Sequence, residues 1–179
     1  MKMHQSIGAC FAVALSLVPS LAGAEASSDL SLFSISKSEN RNEVVYAVHV
    51  DSACHPVGAA PVHAYWRMLE KGPSQIEPLL SREQPAYGVA SQRIEPVVGT
   101  SGDSLVHVRL RALPQRAIEV RTARNGDTCT ATATATVSAT PVSLFNIHAR
   151  LKWLFGIESL TLSGHRPQGG AVVQEIVKE

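Results

Sequence analysis

The chain has 179 residues, 16 Lys+Arg against 15 Asp+Glu, a formal net charge of +1 and 45% hydrophobic residues. This balance points to no partner by charge alone, and the length allows one ordinary domain with a real buried core.

Residues 1–24 carry Lys2, an apolar run from Ile7 to Leu21, and then Ala22-Gly23-Ala24 before Glu25. That is the order of a secretory signal peptide with a small-x-small cleavage site. The run contains Pro19 and is too short and broken to span roughly 30 Å of hydrocarbon; no second run of spanning length follows. Ile7-Gly8-Ala9-Cys10 resembles a lipoprotein cleavage box but precedes the apolar run, so lipidation at Cys10 is not expected. The sequence predicts a soluble exported protein, periplasmic or secreted, without a transmembrane segment in its mature form. A short lead at 25–31 is followed by a single β domain at 32–178.

Cleavage leaves 155 residues with 15 basic and 15 acidic side chains, since Lys2 goes with the leader. It also removes Cys10, leaving Cys54 and Cys129 as a pair in an oxidising compartment, where a disulfide is expected. The bond closes a loop of 75 positions, for which chain entropy gives roughly 4 kcal/mol. Metal ligation by the two cysteines with His55 lacks a CxxC or HxxxH spacing.

Period-2 alternation recurs at Leu32–Ser36, Val44–Val50, Val62–Met68, Leu105–Leu110, Ile118–Thr122, Cys129–Val137, Ser143–Trp153, Ser159–Ser163 and Val172–Val177, separated by Gly, Pro, Asn and Asp. Such spacing predicts an all-β antiparallel sandwich or barrel-like domain of about nine strands. One helical turn is expected near Ser81–Gln84, on a capping-box spacing ended by Gly88.

Asn125-Gly126 is a hairpin signal favouring a type I′ turn, and it predicts a register in which Arg124 faces Asp127, Thr122 faces Cys129 and Val120 faces Ala131. One side then collects Ile118, Val120, Thr122, Cys129, Ala131 and Ala133. The other collects Glu119, Arg121, Arg124, Asp127 and the threonines of CTATATATV, Cys129–Val137. A row of alanines buries little, so something large is expected opposite: Trp66, Trp153, Phe145 and Phe155 are available, and a ligand is the other occupant of such a space.

Charge is uneven along the chain. Between His107 and Lys152 stand Arg109, Arg111, Arg116, Arg121, Arg124, Arg150 and Lys152 against Glu119 and Asp127. Arg109, Arg111, Arg121, Arg124, Arg150 and Lys152 form the candidate surface for an anionic partner, although a charged outer sheet face is also what solvation alone requires.

Catalytic patterns are poor. Gly102-Asp103-Ser104-Leu105 spells the GDSL hydrolase motif, but it runs into an alternating strand and no Asp-x-x-His follows anywhere, so Ser104 is a weak nucleophile candidate. Ser34-Ile35-Ser36-Lys37 fits Ser-x-x-Lys without the Ser-Asp-Asn and Lys-Thr-Gly elements that accompany it. His49, His55, His63, His107, His148 and His165 are scattered, so no metal and no cofactor is expected. Nucleic acid is disfavoured by the compartment and by the lack of aromatic platforms beside the basic groups.

Leu32-Phe33-Ser34-Ile35, Ser38-Glu39-Asn40-Arg41-Asn42, Val44-Val45-Tyr46, Pro61-Val62-His63-Ala64-Tyr65-Trp66 and Ala86-Tyr87-Gly88 occur in that order, followed by Leu160-Thr161-Leu162-Ser163-Gly164, Gly170 and Glu175-Ile176. Over roughly 32–178 the chain resembles the bacterial family called domain of unknown function 4833. The resemblance implies an exported or envelope-associated protein and brings no catalytic residues with it; the Cys54/Cys129 pair and the Thr/Ala strand depart from it. Two functions from different classes follow. One is a non-catalytic envelope module binding an anionic glycan, lipid headgroup or acidic protein; the other is a serine hydrolase using Ser104 and a histidine brought near by folding.

Overall fold

The computed structural model describes residues 27–72, 75–96, 104–152, 157–167 and 169–178. The expected leader at 1–24, Gly102 and Asp103 of the GDSL motif, and the ring candidates Trp153 and Phe155 lie outside the described residues. The chain is all-β, as its alternation predicts, with eleven strands among the described residues: β1 (Ser28–Lys37), β2 (Asn40–Val50), β3 (Val62–Arg67), β4 (Ile76–Pro78), β5 (Val89–Pro96), β6 (Ser104–Leu110), β7 (Leu113–Asn125), β8 (Thr128–Val137), β9 (Thr140–Leu151), β10 (Ile157–His165) and β11 (Val172–Lys178). All nine expected strands are present. The two additional ones, β4 and β5, are edge strands; β4 has three residues and β5 reads VASQRIEP, too polar to show an apolar alternation.

β9 organises the topology. Its residues 140–143 pair with β8, residues 146–149 pair with β1 in parallel, and residues 143–151 pair with β10. Two arms therefore leave one strand. One is β1-β2-β3-β4 and the other β8-β7-β6-β5, with β10 and β11 continuing beyond β9. Buried residues of both arms, among them Phe33, Tyr46, Val62, Val106, Val120, Ala133 and Ile147, share one apolar core, so the sheet folds over on itself as an open sandwich. The last gap, between β3 and β5, is bridged by a side chain. The Gln92 amide accepts from Val62 N at 2.8 Å and donates to Val62 O at 3.0 Å, which is the pair of bonds a neighbouring strand would make.

The alanine strand finds its reason in this split. β8 and β1 abut the same edge of β9 at different heights and pack against each other where they diverge. Small side chains permit that approach. Ala133 and Ala135 are 1% and 3% exposed within the core, Ala131 is half-buried, and Phe33 stacked on Tyr46 at 4.7 Å supplies bulk to the same core. Phe145 does not cover the alanines. It is the extra residue of a bulge between the pairs Leu144↔Gly164 and Asn146↔Ser163, which turns its ring outward onto His165 at 4.7 Å.

The β7–β8 register differs from the expected one by two residues: Asn125 pairs with Thr128, Arg124 with Cys129, Thr122 with Ala131 and Val120 with Ala133. Only Gly126 in this turn has a positive φ, +62°, so Asn125 stays in the strand and the turn residues become Gly126 and Asp127. A two-residue slip preserves the faces, and Ile118, Val120 and Thr122 are buried as expected. Arg124 is the exception to the predicted outer face: it shares its side with Thr122 and Cys129, and its guanidinium donates to Ser52 O at 3.3 Å and to Gly126 O at 3.1 Å. Beside it Cys54 and Cys129 are joined in a disulfide that fixes the β2–β3 loop on the β8 end.

Helix α1 (Gln84–Tyr87) starts after the expected turn and has Pro85 in its first turn, but no side chain caps it. Glu83 stands at the N-cap position, and its carboxylate is engaged elsewhere.

Candidate functional site

β3 points Val62, Ala64 and Trp66 toward the core, and Trp66 is the last and largest of them. A buried indole N–H needs an acceptor. Glu83 supplies it from the segment before α1: its Oε2 accepts from Trp66 Nε1 at 2.9 Å and from Leu80 N at 2.9 Å. The segment is also held from below. Tyr46, fully buried beneath it, donates its hydroxyl to Tyr87 O at 2.5 Å, and the Tyr87 ring stands edge-on to Trp66 at 5.4 Å. Burial, then the neighbouring Tyr87 phenol, pushes the Tyr46 phenol far above its ordinary value; burial, Glu39 and Glu83 raise Tyr87 as well.

A cleft of about 330 Å³ opens over this end of the sandwich. Trp66 and Met68 give it an apolar floor and exposed Leu80 an apolar mouth, while Lys37 from the end of β1, Asn42 from β2, and Glu77, Arg82 and Glu83 bring polar groups to its walls. The Lys37 ammonium lies 4.8 Å from the centre of the Trp66 ring. Glu77 is paired with Lys71 at 2.8 Å. Neither Lys37 nor Arg82 forms an ion pair among the described residues, so the cleft carries two cations outside any ion pair, alongside the Glu83 carboxylate, which is held by the neutral N–H groups of Trp66 and Leu80. An apolar concavity with a few converging polar groups is the usual form of a binding site.

The candidate basic surface is divided by the fold. Arg109 on β6 and Arg121 on β7 share one outer face, where the cross-strand pair His107↔Glu119 lies between them. Arg109 also donates to Pro114 O at 3.0 Å. Arg111 stands in the β6–β7 turn, Arg124 at the disulfide end, and Arg150 at the end of β9, paired with Glu158 at 3.0 Å beside exposed Lys152. Ser104 opens β6 opposite Thr122, 8% exposed, on the side of Val106 and Val108, whereas His107 points to the other side and meets Glu95 at 3.1 Å. Among the described residues no hydrogen bond joins Ser104 to a histidine.

Two pairings escaped the sequence because register alone creates them. Asp29 meets His49 Nδ1 at 2.7 Å and His63 Nε2 at 3.4 Å across β1, β2 and β3. Ser36 lies 3.1 Å from His148 Nδ1, with Asn146 also in reach, but β1 is paired on both edges there, so no free N–H groups stand by to hold an oxyanion. No group of three or more His, Cys, Asp or Glu among the described residues is arranged to hold a metal ion. Lys37, conspicuous in the sequence as part of Ser-x-x-Lys, belongs to the cleft instead. Leu80, Arg82 and Glu83 gave no periodic signal; the one available hint was an inward tryptophan whose N–H required a partner.

Residues 33–175 match the family model described as "Domain of unknown function (DUF4833)". No curated protein and no solved structure matches the chain.

Proposed function

The chain belongs to the DUF4833 family, and on that premise we propose that it is an exported bacterial envelope protein that works as a non-catalytic binding module for an anionic ligand, held in the cleft at Trp66. The observation that carries this is the pair of cations without ion-pair partners, Lys37 and Arg82, above an apolar floor. Export is supported by the Lys2-to-Ala24 leader pattern and by the use of Cys54 and Cys129 as a disulfide. The phrases that carry the family resemblance, 38–42, 61–66 and 86–88, border the cleft or support its floor. Ser104 has no part in it.

Native mass spectrometry of the protein purified gently from its own envelope tests this. The wild type is expected to carry an added mass that Leu80→Glu, an exposed change putting a negative charge at the mouth, loses. A mass kept by Leu80→Glu but lost by the double variant Arg109→Glu/Arg121→Glu would move the site to the outer face of β6 and β7.

A further inference from the structure

Resting on that assignment of the cleft, we propose that its ligand is a carboxylate-bearing saccharide, and that Lys37 is a displaceable cation that leaves the Trp66 ring for the ligand's carboxylate and yields the ring face to the sugar.

The ring is already served on two sides. Tyr87 meets it edge-on at 71°, and the Lys37 ammonium lies over it at 4.8 Å; as a member of the core, the residue is 8% exposed. A cation over an aromatic face near solvent and an exposed ion pair are of similar strength. Exchanging the ring for a ligand carboxylate therefore costs Lys37 little, and it opens an apolar surface suited to the C–H face of a pyranose. Lys37 reaches both positions on one flexible stem.

The walls favour a saccharide over a flat organic acid. Lys37, Arg82 and the Asn42 amide donate, while Glu77 and Glu83 accept. Asn42 keeps its amide N–H groups available, because its Oδ1 accepts from Glu70 N at 3.2 Å. Hydroxyls that both donate and accept can satisfy such an alternating rim; an aromatic acid has nothing to offer Glu77 and Glu83. Those carboxylates also oppose a dianion such as a phosphate monoester more than they oppose a single carboxylate.

The test uses Trp66 fluorescence in a Trp153→Phe background, which leaves one of the two tryptophans. Tetragalacturonate is compared with its methyl ester, which keeps the ring and loses the charge. Binding to the acid at least tenfold tighter than to the ester is expected. Lys37→Met is expected to reduce that preference to under twofold and to bind the ester at least as well as before, since its ring face is open; Arg82→Gln, at an exposed site, should weaken the acid alone. Equal binding of acid and ester, a preference that survives Lys37→Met, or no binding of either overturns the proposal. If the envelope-derived mass still depends on Leu80 when no saccharide binds, the cleft stands and only its ligand class is wrong; if that mass is indifferent to Leu80, the cleft itself is wrong.

Discussion

Gln92 closes the sandwich with one side chain. Replacing it with Leu removes both bonds to Val62, each worth about 0.5–1.5 kcal/mol, so urea denaturation should show a loss of about 1–3 kcal/mol. Gln92→Glu should cost more at neutral pH, because a carboxylate accepts but cannot donate to Val62 O; an unchanged midpoint in either variant would mean the seam holds without the amide. Tyr46 makes a second local prediction. Its phenol is raised above the ordinary value of 10.0, so the folded state resists ionisation that the unfolded chain undergoes freely. Stability is full below pH 10 and falls as pH rises above it, and Tyr46→Phe, which has no phenol to ionise, should lose less stability between pH 9 and 11 in the same urea-midpoint measurement. At this scale the sequence shows direction better than partner: alternation placed Trp66 on the inner face, but nothing in it could reveal that the acceptor comes from Glu83, 17 residues away.

Strands were legible where apolar residues alternate with polar ones, even in the half-exposed edge strand β11, and illegible where that pattern is missing. β4 and β5 escaped because edge strands carry polar side chains and proline, which blunt pairing with other chains and erase the pattern at once. The β7–β8 faces were readable and the register was not, since a slip of two leaves every face unchanged. β11 shows how an edge strand is held. Glu175 takes two hydrogen bonds from Arg116, at 2.7 and 2.8 Å, and one from Ser138 N at 2.7 Å. The Arg116 guanidinium first, and then the Ser138 amide, holds the Glu175 carboxyl below its ordinary value of 4.5. The depressed value means that its contribution is present above pH 4.5 and is lost as pH falls through the folded value. Glu175→Gln should therefore speed hydrogen exchange in β10 and β11 at neutral pH, and its melting temperature should converge with that of the wild type in acid. A difference that persists in acid would assign the effect to packing instead of charge.

For the whole molecule, composition and alternation sufficed for the fold class and for the Cys54–Cys129 bond, while the split of the sheet at β9 and the cleft at Trp66 required tertiary structure. The disulfide joins positions 75 apart, and the double variant Cys54→Ala/Cys129→Ala should lose roughly 4 kcal/mol, the chain-entropy value for such a loop, while keeping its strand circular dichroism. Loss of less than about 1 kcal/mol would show that the unfolded chain is already constrained near those residues. The basic residues were legible as a count, but Arg109 and Arg121 sit near each other on adjacent strands while Arg111, Arg124 and Arg150 lie in other elements; a run of charge in sequence is not a patch in space. Binding at the Trp66 cleft is tested by an amide and indole NMR titration of the isotope-labelled protein with the anionic fraction of its own cell envelope. The indole N–H of Trp66 and the amides of Lys37, Asn42 and Arg82 should shift together while those of Arg109 and Arg121 stay still. Shifts centred on Arg109 and Arg121, with Trp66 unmoved, would contradict it.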